Sequence, residues 1–110
     1  MKKTLLAVLL LAFIGNALAA LPEMPIKVTY RKALLNDGYV LQFHNISESI
    51  IPIKVTLENP QTETTNVFRL NVDAFKLKEI GSVQGWTALP GDKITVENAD
   101  FQTLRAEIKK

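Results

Sequence analysis

The chain has no cysteine among its 110 residues. Disulfide staples, thiolate nucleophiles, cysteine-ligated zinc and a lipid-modified cysteine anchor are therefore excluded. It has a single histidine, His44. One imidazole cannot build a His-rich metal site, and a Ser-His-Asp arrangement would need His44 beside a serine with an acid to orient the ring. Ser47, Ser49 and Ser82 sit in no nucleophile-elbow motif. Aromatics are sparse, with one tryptophan, two tyrosines and five phenylalanines. After the first 19 residues no apolar run approaches the roughly 20 residues needed to span a bilayer.

Those first 19 residues have the form of a secretory signal peptide. Lys2 and Lys3 make a positive start, Leu5 to Ile14 is uninterruptedly apolar, and Ala17-Leu18-Ala19 puts small residues at a cleavage site. The expected mature chain begins at Ala20 and works outside the cytoplasm. Its brief Lys-Lys start points to a bacterial periplasm, or to secretion, with no stable membrane insertion once the signal is gone.

The charge balance changes with that cleavage. The whole chain carries 13 basic and 11 acidic residues. Loss of Lys2 and Lys3 leaves 11 of each. No basic stripe remains to recruit nucleic acid or an anionic lipid surface.

Residues 20–110 fit one domain of modest core. Pro22 and Pro25 mark an extended lead-in. Beyond it the apolar period is two: Ile26, Val28 and Tyr30; Tyr39, Leu41 and Phe43; Ile51, Ile53, Val55 and Leu57; Phe68, Leu70 and Val72; Phe75, Leu77 and Ile80; Ile94 and Val96; Leu104, Ala106 and Ile108. Asp37-Gly38 predicts a hairpin turn with positive φ, and Pro90-Gly91-Asp92 a second turn. Pro52 predicts an edge strand or an irregular start. This spacing predicts about seven short antiparallel strands and no helix.

Polar Asn45-Ile46-Ser47, together with Glu79-Ile80-Gly81, Gly85-Trp86 and Pro90-Gly91-Asp92, gives the chain a look similar to small secreted bacterial proteins with an immunoglobulin-like β-sandwich. The resemblance covers most of residues 20–110. It implies that fold and carries no activity with it. The Cys–Trp–Cys core of antibody domains is absent.

The acids lie scattered, without the alternation of a calcium loop. Asp37, Asp92 and Asp100 read as turn residues. Asn45-Ile46-Ser47 matches a glycosylation acceptor and reads as a plain loop. Tyr30, Tyr39, Phe43, Phe68, Phe75 and Phe101 read as core. Trp86, beside Gly85 in a glycine-flanked connection, is the one side chain singled out as a contact. Its favoured reading is a plug for the core, and its other reading is an exposed platform for a sugar or protein. No catalytic, metal or cofactor residue is predicted. The function expected is a non-enzymatic module binding a protein or cell-envelope component through loops or an edge strand. Carbohydrate binding through Trp86 is the alternative, and a small hydrolase the weakest reading.

Overall fold

The computed structural model describes residues 20–109. The expected signal segment, residues 1–19, lies outside them. Seven strands run in chain order: β1 (Ile26–Lys32), β2 (Tyr39–Asn45), β3 (Ile51–Asn59), β4 (Thr64–Val72), β5 (Leu77–Ile80), β6 (Lys93–Glu97) and β7 (Leu104–Glu107). All pairings are antiparallel. One sheet has the order β1-β2-β5 and the other β4-β3-β6-β7. The only helical turn among the described residues is a short 3-10 turn at Ser82–Gln84.

The period of two explains this arrangement. Successive side chains in a strand point to opposite faces, so each alternating run buries one face. Leu41, Phe43 and Ile80 line the inner face of the first sheet. Ile51, Ile53, Val55, Leu57, Val72, Ile94 and Val96 line that of the second. Both sets belong to one core, closed by Met24, Trp86, Ala88 and Ile108. Opposite faces carry Lys27, Gln42 and His44 on one sheet and Lys54, Thr56 and Thr95 on the other.

Three expectations are corrected. Of the two readings of Pro52 the edge is overturned, because β3 lies between β4 and β6, and the irregular start is what fits. The β3–β6 ladder starts only at Lys54, and past its end Asn98 Nδ2 donates to the Pro52 carbonyl. The missing Pro52 N–H thus faces a stretch where no strand needs a donor. Gly38 has no positive φ. Glycine is needed there for space, since a Cβ would sit 2.8 Å from the Ala88 carbonyl oxygen and closer still to the Thr87 methyl. The turn is held by the Asn36 side chain, which accepts from Gly38 N–H at 2.8 Å. Phe75 is neither core nor strand: it precedes β5 and is 70% exposed.

Strand direction sorts the loops into two ends. One end gathers the β1–β2, β3–β4 and β5–β6 connections. The other gathers the lead-in, the β2–β3, β4–β5 and β6–β7 connections.

Candidate functional site

The second end is built around Asn45. It is the last residue of β2 and is buried. Its Nδ2 donates to the carbonyls of Ser49 and Val72, at 2.7 and 2.9 Å. Its Oδ1 accepts from Ser47 N–H and from Ser47 Oγ–H. This one amide folds the β2–β3 loop and ties it to the end of β4. It also withdraws Nδ2 from solvent, which closes the glycosylation reading in the folded state.

The β4–β5 loop docks on that frame. Phe75 N–H donates to the Ser47 carbonyl at 3.2 Å, and Asn45 N–H donates to the Lys76 carbonyl at 2.9 Å. Holding these bonds places Phe75 at φ 57, in the left-handed region. A bulky L-residue adopts it at a cost of roughly 1–2 kcal/mol. The ring does not recover that cost by burial, since most of it faces solvent. Beside it stand Ile46, 64% exposed, and Leu77, 43% exposed. These three line a shallow groove of about 290 Å³ with His44, Asn45 and Lys76. Ile50, in the same β2–β3 loop, is also exposed. The arrangement offers apolar contact on a fixed backbone, with Lys76 as a charged neighbour.

His44 is held in place from the outer face of its sheet. Thr29 Oγ1 donates to Gln42 Oε1 at 3.0 Å, so the 2.8 Å contact with His44 Nε2 makes the imidazole the donor there. Gln42 Nε2 donates onward to Glu79 Oε2, which also accepts from Arg31 Nε at 2.9 Å. The wire runs His44–Thr29–Gln42–Glu79–Arg31 across three strands. The Arg31 hydrogen bond, helped by that from Gln42, holds the Glu79 carboxyl below its ordinary range, and the same contact raises Arg31.

The residues singled out in the sequence lie at the opposite end. Trp86 is buried, with 9% of its surface exposed. Its Nε1–H donates to Asp92 Oδ2 at 3.1 Å. The ring fills the core beneath the β5–β6 loop and offers no face for stacking. Gly85 is exposed at φ 97, with nothing within 4 Å of where a Cβ would stand. Its backbone reverses the chain after the 3-10 turn and lets Trp86 enter the core. Trp86 and Gly85 are thus brought together as a structural corner. Around it, Leu34, Leu35 and Val83 are each about nine-tenths exposed.

Asp92 is the polar residue that sequence reasoning undervalued. It is fully buried, and it accepts from Asn59 Nδ2 at 2.8 Å and Leu89 N–H at 3.0 Å besides Trp86. Its turn residue character was visible; its burial was not, because Asn59 and Trp86 reach it from other elements. Phe75 was missed for a different reason. Its apolar character matched the strand period, and nothing local marks a left-handed phenylalanine.

A larger groove of about 900 Å³ runs beside Pro52, Lys54, Arg69, Glu97 and Phe101. Its charged walls are of mixed sign. Among the described residues, no three His, Asp or Glu side chains converge as metal ligands. No family model, curated protein or solved structure matches the chain.

Proposed function

We propose that this chain is a non-enzymatic interaction module of the cell envelope or the secreted medium. It grips a protein or envelope partner with the Ile46–Phe75–Leu77 patch. The observation that carries this reading is Phe75, an exposed aromatic held on a strained backbone. Strain maintained by surrounding bonds, at a side chain that adds little to the core, is where a contact residue is found. Aromatic anchors set among fixed polar neighbours are the usual hot spots of protein interfaces.

An immunoglobulin-like architecture is part of the same proposal. Lettered in chain order as A, B, C, C′, E, F and G, the sheets become A-B-E and C′-C-F-G. The C, F and G strands share a sheet in such sandwiches, with C′ added beside C in the larger ones. The signal-like residues 1–19 support a periplasmic or secreted location. Intact mass of protein recovered from the periplasm is expected to lack them, and a full-length membrane-bound product would contradict cleavage. The alternative of sugar stacking on Trp86 finds no support in the buried position of the ring.

The test is capture of partners from an envelope extract by tagged protein. Phe75→Gly and Ile46→Ser are expected to lower capture by at least about tenfold, as for the loss of a hot-spot residue, while far-UV circular dichroism stays unchanged. Capture equal to wild type by both variants would sink the patch as the contact. Capture is expected to persist in EDTA.

A further inference from the structure

We infer that β4 is a homodimer edge, pairing antiparallel with β4 of a second copy so that the two four-stranded sheets become one. This stands apart from the Phe75 patch, which lies past the C-terminal end of β4.

The four sheet edges differ in how they are guarded. β5 and β7 have four residues each. β1 carries Lys27, Arg31 and Lys32. Short length and cationic side chains are common means of blunting an edge. β4 has neither. It is nine residues long, reads Thr-Thr-Asn-Val-Phe-Arg-Leu-Asn-Val, contains no proline or glycine, and carries one charge at Arg69. Its register with β3 runs unbroken from Ile51↔Val72 to Asn59↔Thr64, so no bulge bends it away.

The direction of its backbone groups follows from two observations. Asn71 is opposite Pro52, which has no N–H, and the Pro52 carbonyl is taken by Asn98 on the β6 side. Asn71 therefore turns its N–H and C=O outward. Val67 N–H is bonded to its own neighbour Asn66 Oδ1 at 2.9 Å, not to β3. Alternation then sends the backbone groups of Thr65, Val67, Arg69 and Asn71 to the open edge. Asn66 covers one of the donors while the edge is free.

A second copy fits this edge. A twofold axis at Phe68 overlaps the whole strand. It sets Thr65 against Asn71 of the copy and Val67 against Arg69 of the copy, all with outward backbone groups, so each pair exchanges both hydrogen bonds. Arg69 meets Val67 and not itself, so no like charges oppose. Phe68 meets Phe68 of the copy on the core-facing side. Phe68 and Leu70 are only partly buried in one chain and pack against its core. The pairing would extend that core across the axis.

The register makes a charge test available. Val67 is 45% exposed on the outer face. Val67→Lys would put two symmetric like-charge pairs against Arg69, and Val67→Glu two opposite-charge pairs. Sedimentation equilibrium of the purified full chain over a micromolar range is expected to show a monomer–dimer equilibrium. Its dissociation constant should rise with Val67→Lys and fall with Val67→Glu, each by about 2-fold to 30-fold. Val67→Pro deletes an outward N–H that β3 does not use, and is expected to give a folded monomer. Amide exchange at Thr65, Val67, Arg69 and Asn71 should slow as protein concentration rises. A monomer at every concentration overturns the inference. So does a dimer indifferent to the Lys and Glu substitutions, whether or not the proline variant folds.

Discussion

Three neutral donors converge on one buried carboxylate at Asp92: the indole of Trp86, the amide of Asn59 and the backbone of Leu89. The Leu89-Pro90-Gly91-Asp92 turn brings it there. Gly91 supplies φ 93 at its third position, and Asp92 N–H returns to the Leu89 carbonyl at 3.0 Å. Removing the acceptor leaves several buried donors without a partner, each worth roughly 1–3 kcal/mol. Asp92→Ala is therefore expected to destabilise by at least about 3 kcal/mol. Trp86→Phe keeps most of the packing, loses one bond, and should cost about 1–3 kcal/mol. Urea denaturation checks the ranking, and equal losses would show that packing alone matters. Phe75 behaves in the opposite way. Phe75→Gly relieves the left-handed strain against glycine's own entropy loss, so stability is expected to stay level or rise by up to about 1 kcal/mol. A clear loss of stability would mean that the ring packs in the folded protein.

At the scale of elements, the first sheet is crossed by the polar wire that ends at Arg31 and Glu79. Arg31 Nε and Nη2 grip the two oxygens of Glu79, linking the edge strands β1 and β5 over β2. The folded state depresses the Glu79 carboxyl, through the bond from Arg31 first and Gln42 second. Its contribution is therefore present above the ordinary carboxylate value and is lost as pH falls through the depressed one. Melting temperature followed below about pH 4.5 should fall less steeply in Glu79→Gln than in wild type. Parallel curves would show that other acids govern acid unfolding. Both groups are largely solvated, so the difference between curves is expected to be small.

For the whole molecule, hydrogen bonds beyond the core join the two sheets at both ends, including that from Asn45 to the Val72 carbonyl. Tyr39 and Ala88 form an isolated bridge from the first sheet to the β5–β6 loop. The same loop carries Trp86 and Asp92 to Asn59 on the second. At the opposite end, Gln102 holds the lead-in through the carbonyls of Pro22 and Leu21. Trp86 therefore reports the joint at its own end of the two sheets, while far-UV circular dichroism reports the strands. Both signals are expected to change together in one thermal transition, as for a two-state domain. An earlier tryptophan transition would mean that the joint opens first.

Most strands could be read from the chain alone, because a strand that buries one face must alternate. The runs Tyr39–Phe43, Ile51–Leu57, Ile94–Val96 and Leu104–Ile108 carry that signal, and all lie in or beside strands with their apolar residues inward. Phe75 shows the limit. Its place in the alternating pattern is local, whereas its exposure follows from two hydrogen bonds, one to the β2–β3 loop and one to the end of β2, about 30 residues earlier in the chain. Pro52 shows another. Edge or centre depends on which strands lie on either side, and here the β3–β6 ladder happens to end before the proline. Composition by itself excluded disulfides and cysteine-ligated metal, and hydrophobic period by itself determined the all-β class. Strand order, the burial of Asp92 and Trp86, and the outward aim of the β4 backbone were decided only by tertiary structure. Each depends on partners far away in the chain, and no local propensity encodes them.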